Sequence, residues 1–131
     1  MKRHRQWGVL GCAIAASGLS LSPGLAAAAK DETRCGWFDN PSPGNASFYD
    51  RDGEWTIAIQ GGHQAKGDWP PTFPPAQYVK AGTGSYGRGC ACFEASFDAA
   101  EHVVVAIKAA RSRTLKECRA DRKLKEIEGQ L

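Results

Sequence analysis

Through the middle of the chain apolar and polar positions alternate in short runs, and only from Thr114 onward does the spacing become helical. Ser47-Phe48-Tyr49 and Glu54–Ile59 flank Asp50-Arg51-Asp52-Gly53. An Asp-Gly between aromatic and β-branched runs predicts a β-hairpin. In its second strand Trp55, Ile57 and Ile59 share one face, with Thr56, Ala58 and Gln60 on the other. Gln77-Tyr78-Val79 predicts a short strand. Cys90–Phe97 alternates with Phe93 and Phe97 on one face, and His102–Ile107 is the strongest β-run, expected to be central. Past Thr114, Ala120, Leu124, Ile127 and Leu131 form one helical stripe, with Leu115 and Cys118 on a different side. The expected fold is α+β: a small antiparallel sheet, one C-terminal helix and two disulfides.

Between these runs lie segments that the pattern leaves irregular. Lys30–Arg34 reads as a charged tether. Pro41, Pro43 and Gly44 predict an extended, turning backbone over Asp39–Asn45. Gly82–Gly89 is a glycine-rich turn carrying Tyr86 and Arg88. The longest connection, Gln60–Pro75, exceeds most loops of compact domains, and such loops are often functional.

The N-terminal pattern has a different meaning. Met1–Arg5 is short and positive, Trp7–Ala16 is apolar or small, and Pro23-Gly24 precedes Ala26–Ala29, the parts that a signal peptidase reads. Glycines, serines and Pro23 dilute the run below that of a membrane anchor. Cys12 comes too early in the apolar run for a lipid-modified cysteine. Residues 1–29 are therefore expected to be a cleaved signal peptide, leaving residues 30–131 as one disulfide-stapled domain in the periplasm or secreted, without stable membrane insertion.

This cleavage changes the charge balance. Of 17 basic residues, Lys2, Arg3 and Arg5 leave with the signal, while all 14 acidic residues follow Ala29. The mature chain is then neutral, which argues against a nucleic-acid partner. Residues 108–131 remain net basic, as in a solvated mixed-charge helix.

Loss of Cys12 leaves Cys35, Cys90, Cys92 and Cys118, an even set that reads as two disulfides in an exported domain. Cys90 and Cys92 are too close to bridge each other without strain, so each is expected to reach a distant partner. Cys35–Cys90 with Cys92–Cys118 is favoured, and the swapped pairing comes next.

Few residues offer chemistry. Gly82-Thr83-Gly84-Ser85-Tyr86-Gly87 matches G-x-G-x-x-G by letter but precedes a strand, not a helix, so the glycines serve a turn. Asp50-Arg51-Asp52-Gly53 lacks the later acidic ligand of a calcium loop. His63 with Asp68 is the one acid–base pair that a small hydrolase would use, and Cys90-x-Cys92 with His63 is a candidate soft-metal site. Disulfides account for those cysteines without a metal, and no cofactor is expected. What remains is a set of aromatics and amides beside turns: Trp37, Gln60, His63, Gln64, Trp69 and Tyr86. These predict a face that binds an envelope protein or glycan, with Trp69 at least partly exposed and Trp37 near it.

Arg34–Asn45, Asp50–Trp55, Gln60–Gly62, Gly67–Pro70 and Tyr86–Cys92, taken in order, resemble a bacterial family of small exported proteins, domain of unknown function 4087. The resemblance spans Arg34 to about Leu124 and implies an envelope or secreted setting. It carries no activity and no assigned site residue.

Overall fold

A computed structural model of the chain describes residues 28–131, so the expected signal segment lies almost wholly outside the described residues. Six strands follow in chain order: β1 (Lys30–Ser42), β2 (Asn45–Asp50), β3 (Gly53–Ala58), β4 (Val79–Lys80), β5 (Gly87–Asp98) and β6 (Val103–Ser112). Two short helices follow, α1 (Leu115–Ala120) and α2 (Arg122–Glu128).

The strand order is β1-β2-β3-β6-β5-β4, and β1 pairs with β5 as well as with β2. The pairings of β1, β2, β3, β6 and β5 thus close on themselves, and the strands wrap into a small five-stranded barrel. The contact of β3 with β6 is parallel, through Thr56 and Val103, and every other pairing of named strands is antiparallel. The sheet is therefore mixed, not antiparallel as expected. β1 pairs with both β2 and β5, which carries β6 round to the free edge of β3. Because β3 and β6 are each two antiparallel steps from β1, they meet running the same way. This is the connectivity of the OB-fold, a partly open Greek-key barrel.

Alternation fills the barrel. Phe38, Phe48, Trp55, Ile57, Phe93, Phe97, Val104 and Ile107 point inward beside Ala46, Ala91 and Ala95, small residues that let large rings fit a narrow interior. The predicted hairpin is present, with β2 and β3 joined at Asp50–Gly53. Ile59 departs from the predicted inward stripe and is exposed, because β3 ends at Ala58.

At one end of the barrel Arg34 lies over the rings of Trp55 (4.6 Å) and Phe97 (5.1 Å). Its guanidinium pairs with Asp50 and Asp52, both at 2.7 Å, and with Glu32 at 2.6 Å. Burial opposes the Arg34 charge, but these carboxylates outweigh it and raise its pKa. Asp50, only 5 % exposed, is a buried acid with its counter-charge in place.

Two expected irregular segments are strand. The charged tether is the start of β1, paired with β5 from Lys30 opposite Phe97 onward. Its charges are tolerated because they find cross-strand partners: Asp31 meets Ser96 and Lys108. The proline-rich stretch continues β1 to Ser42, with Pro41 in a register irregularity between Asp39 and Ser42, where a missing N–H disturbs no regular ladder.

The C-terminal helix is also two helices rather than one. Thr114 and Glu117 form a capping box that starts α1. Asp121 then leaves helical geometry and caps α2 by accepting from the Lys123 and Leu124 backbone N–H groups. The break turns Leu124 toward the face that carries Cys118. Trp37, Cys90, Cys118 and Leu124 form one buried cluster, with Leu115, Ile127 and Leu131 packed against it.

The disulfides join Cys35 to Cys92 and Cys90 to Cys118, which corrects the favoured pairing. The β1–β5 register sets Cys35 directly opposite Cys92 and Trp37 opposite Cys90. Cys90 therefore has no cysteine across the ladder and takes the one that α1 delivers.

Candidate functional site

The long connection after β3 does two separate jobs. Its first part is stitched into the barrel wall between β3 and β6. Ala65 N–H donates to Ile57 O, Lys66 N–H to Val105 O, and Ile107 N–H to Lys66 O. Gly67 must be glycine here: its φ is +94°, and a Cβ would stand 2.1 Å from the Ile107 carbonyl oxygen.

The polar residues expected to form a binding face are used by this stitching. His63 is half-buried with Nε2 2.8 Å from Val104 O, and no hydrogen bond joins it to Asp68 among the described residues. Gln64 is exposed, but its Nε2 donates to Gly44 O (3.1 Å) and Ile59 O (3.0 Å), tying the β1–β2 turn to the end of β3. Gln60 is exposed and its backbone N–H donates to Asn45 Oδ1.

The second part of the connection closes the other end of the barrel. Trp69, half-buried, tilts against Phe38 at 6.4 Å, and Phe73 stacks on Phe38 at 6.0 Å. Trp37 is not near Trp69 in this packing. Adjacent residues of a strand face opposite ways, so Phe38 points into the barrel and Trp37 out beneath the helices. Trp37 is fully buried there, and its Nε1 donates to Leu124 O at 2.7 Å. With no exposed surface it presents nothing to a ligand, which corrects its place in the expected binding face.

Outside the Trp69–Phe73 cap the prolines build a groove. Pro70, Pro71, Phe73, Pro75, Tyr78, Lys80, Gly84 and Ser85 line a cleft of about 390 Å³, within the size range of ligand sites. Phe73 and Tyr78 stack at 5.1 Å, and the Tyr78 hydroxyl donates to Ser85 O, fixing the groove's far wall. Behind Phe73 the barrel offers a flat floor: a Cβ at Gly89 would meet the Phe73 ring at 2.4 Å. Burial raises the Tyr78 phenol above its ordinary range, with the Asp39 charge adding to it. Tyr86, half-buried, lies beside this groove in sequence; its carbonyl accepts from Ala81 N–H and closes the β4–β5 turn.

None of the residues expected to form the binding face lines this cleft. Trp69 packs against Phe38 beside the cleft, and the sequence signal for the cleft's walls is the repeated proline around Phe73 and Tyr78. Prolines signify irregularity in a sequence, yet here they supply rigid apolar walls.

A second concavity, of about 450 Å³, lies between the β2–β3 turn and the helices. It is lined by both disulfides and by Arg34, Asp50, Arg51, Asp52, Arg113, Glu117 and Asp121. Its cations are already paired: Arg51 with Asp121 at 2.6 Å and Arg113 with Glu117 at 2.5 Å. With Cys90 and Cys92 both oxidised, neither offers the thiolate that the soft-metal alternative required.

No helix among the described residues is long and apolar enough to cross a membrane. One family model, described as a protein of unknown function (DUF4087), matches residues 29–125. Comparison with curated proteins and with solved structures gives no match.

Proposed function

The chain belongs to the DUF4087 family of proteins of unknown function, and from its own groove we propose that it is an exported, non-catalytic domain that binds a proline- or aromatic-containing segment of another envelope protein. The observation that carries this reading is the cleft of Pro70, Pro71, Phe73, Pro75 and Tyr78. Rigid prolines and stacked rings present apolar surface that loses little conformational freedom on binding, and extended proline-rich segments dock in aromatic-lined grooves of this kind. Lys80 and Ser85 at the rim supply the few polar contacts that orient such a segment.

A peptide fits better than a glycan. Sugar hydroxyls need many convergent donors and acceptors, or their burial costs free energy. The amides suited to that role, Gln60 and Gln64, lie away from the cleft's lining, and Gln64 is held by the backbone. Engagement of His63 with Val104 O weighs against a hydrolase built on His63 and Asp68.

OB-fold barrels commonly bind along strands 2 and 3 and the adjoining loops. In this chain Tyr49 on that side packs with Ile127 and Leu131 against the Trp37 cluster, and Tyr49, Gly53 and Glu54 share a cleft of about 440 Å³ with Lys123, Glu126 and Leu131. That cleft lacks the proline walls and stacked rings of the groove beside Phe73, so the proline groove suits an extended apolar segment better. The acidic Glu54 there also disfavours a nucleic acid. The N-terminal pattern of Met1–Ala29 and the two disulfides support export to an oxidising compartment.

An amide-resolved NMR titration tests the reading with two probes: a set of proline-rich peptides and a set of cell-wall oligosaccharides. Peptides are expected to shift resonances of residues 70–86, and Tyr78→Ala to remove those shifts while the rest of the spectrum stays native. Shifts with oligosaccharides alone would transfer the site to a glycan. Silence with both, or shifts confined to β2 and β3, would overturn it.

A further inference from the structure

The two disulfides occupy the same face of β5, two residues apart, yet their surroundings differ sharply. Cys90 and Cys118 are 2 % and 1 % exposed and sit in the cluster with Trp37 and Leu124. Cys35 is exposed and Cys92 only half-buried; both disulfides border the 450 Å³ concavity between the β2–β3 turn and α1, so exposure is what separates them. Exposed disulfides are the ones that exchange, because a thiolate must approach the sulfur directly.

The backbone supports this difference. Cys35 and Cys92 are direct cross-strand partners, their Cα atoms 4.0 Å apart. They lie in the middle of a ladder that runs from Lys30 opposite Phe97 to Asn40 opposite Gly87. That ladder does not depend on the S–S bond, so it holds the two sulfurs opposite each other after reduction. The Cys90–Cys118 bond is different: it fastens α1 to the barrel, and its loss would free the helices that cover Trp37.

We propose that Cys35–Cys92 is a thiol–disulfide exchange site for an external dithiol of the envelope, while Cys90–Cys118 is the permanent staple. In the reducing direction a partner thiolate attacks the sulfur of Cys35, the exposed residue of the pair. A mixed disulfide forms and Cys92 leaves as a thiolate, which takes up a proton. The partner's second thiol, deprotonated, then attacks its own sulfur in the mixed disulfide and releases Cys35. The partner ends as a disulfide, oxidised by two electrons, and this chain holds two thiols. The reverse steps restore the bond. Access selects the site, since the arginines that line the concavity are each paired with a carboxylate.

The test is a graded reduction of the purified, fully oxidised protein with dithiothreitol, followed by acid quenching, alkylation and peptide mapping. Label on Cys35 and Cys92 is expected at a dithiothreitol concentration at least tenfold below that which labels Cys90 and Cys118. The half-reduced protein should keep its far-ultraviolet circular dichroism and regain Cys35–Cys92 with oxidised glutathione. Simultaneous labelling of all four cysteines, or earlier labelling of Cys118, would overturn the proposal. So would collapse of the spectrum at the half-reduced stage, which would make Cys35–Cys92 a staple too.

Discussion

Tyr49 shows how one residue registers several layers of the molecule. It lies opposite Trp37 on β1 and Glu54 on β3, and it packs against the cluster that α2 completes. Burial, followed by the Glu54 charge, pushes its phenol up to about 12. A raised pKa means that the stabilisation linked to the neutral phenol is fully present below the ordinary tyrosine range and is lost as pH rises through about 12. Phenolate absorbance should therefore show a late step near 12, and Tyr49→Phe should delete it. Survival of that step in the variant would assign it elsewhere. None of this was legible from Ser47-Phe48-Tyr49 alone, which read only as one arm of a hairpin. His63 illustrates the converse. A lone histidine in a long loop looks chemical in sequence, and a backbone carbonyl of β6 engages it in the fold.

Among the elements, the stitched segment His63–Gly67 departs most from its expectation. It bonds to β3 on one side and β6 on the other, bridging the part of the wall where those strands share only the Thr56–Val103 pairing. Gly67→Ala should destabilise the domain by roughly 3 kcal/mol, because positive φ and collision with the Ile107 carbonyl act together. Gly82→Ala is the control. It also has positive φ, but a Cβ there meets nothing within 4 Å, so only the backbone cost of roughly 1 kcal/mol applies. Guanidinium denaturation of both variants measures the difference, and equal losses would show that Gly67 is not a close approach. The helix break at Asp121 belongs to the same scale. An aspartate in a continuous helical stripe gives no hint that its carboxylate caps a second helix and also meets Arg51.

For the whole molecule, β1 begins at Lys30, directly after the expected cleavage point following Ala29. Cleavage there would leave every residue of the β1–β5 ladder in place. Mass spectrometry of the protein from its host should find an N-terminus at or near Lys30. A retained Met1, or a lipid on Cys12, would contradict export by a cleaved signal. At this scale the barrel also explains why the charged start of β1 is ordered: one end of the barrel needs a plug, and Arg34 with its three carboxylates supplies it.

The sequence by itself determined the local grammar: the Asp50–Gly53 hairpin, the shared face of Phe93 and Phe97, a helical end after Thr114 and the two-disulfide count. Each follows from interactions among residues near in the chain, or from composition, and needs no knowledge of neighbours in space. Tertiary structure decided the rest. The pairing of Cys35 with Cys92, the burial of Trp37 away from Trp69, the parallel closure of β3 on β6 and the proline groove all depend on strand register and barrel closure. Those are set by contacts between residues far apart in the chain, such as Trp37 with Leu124 and Lys66 with Ala106, for which local periodicity carries no signal.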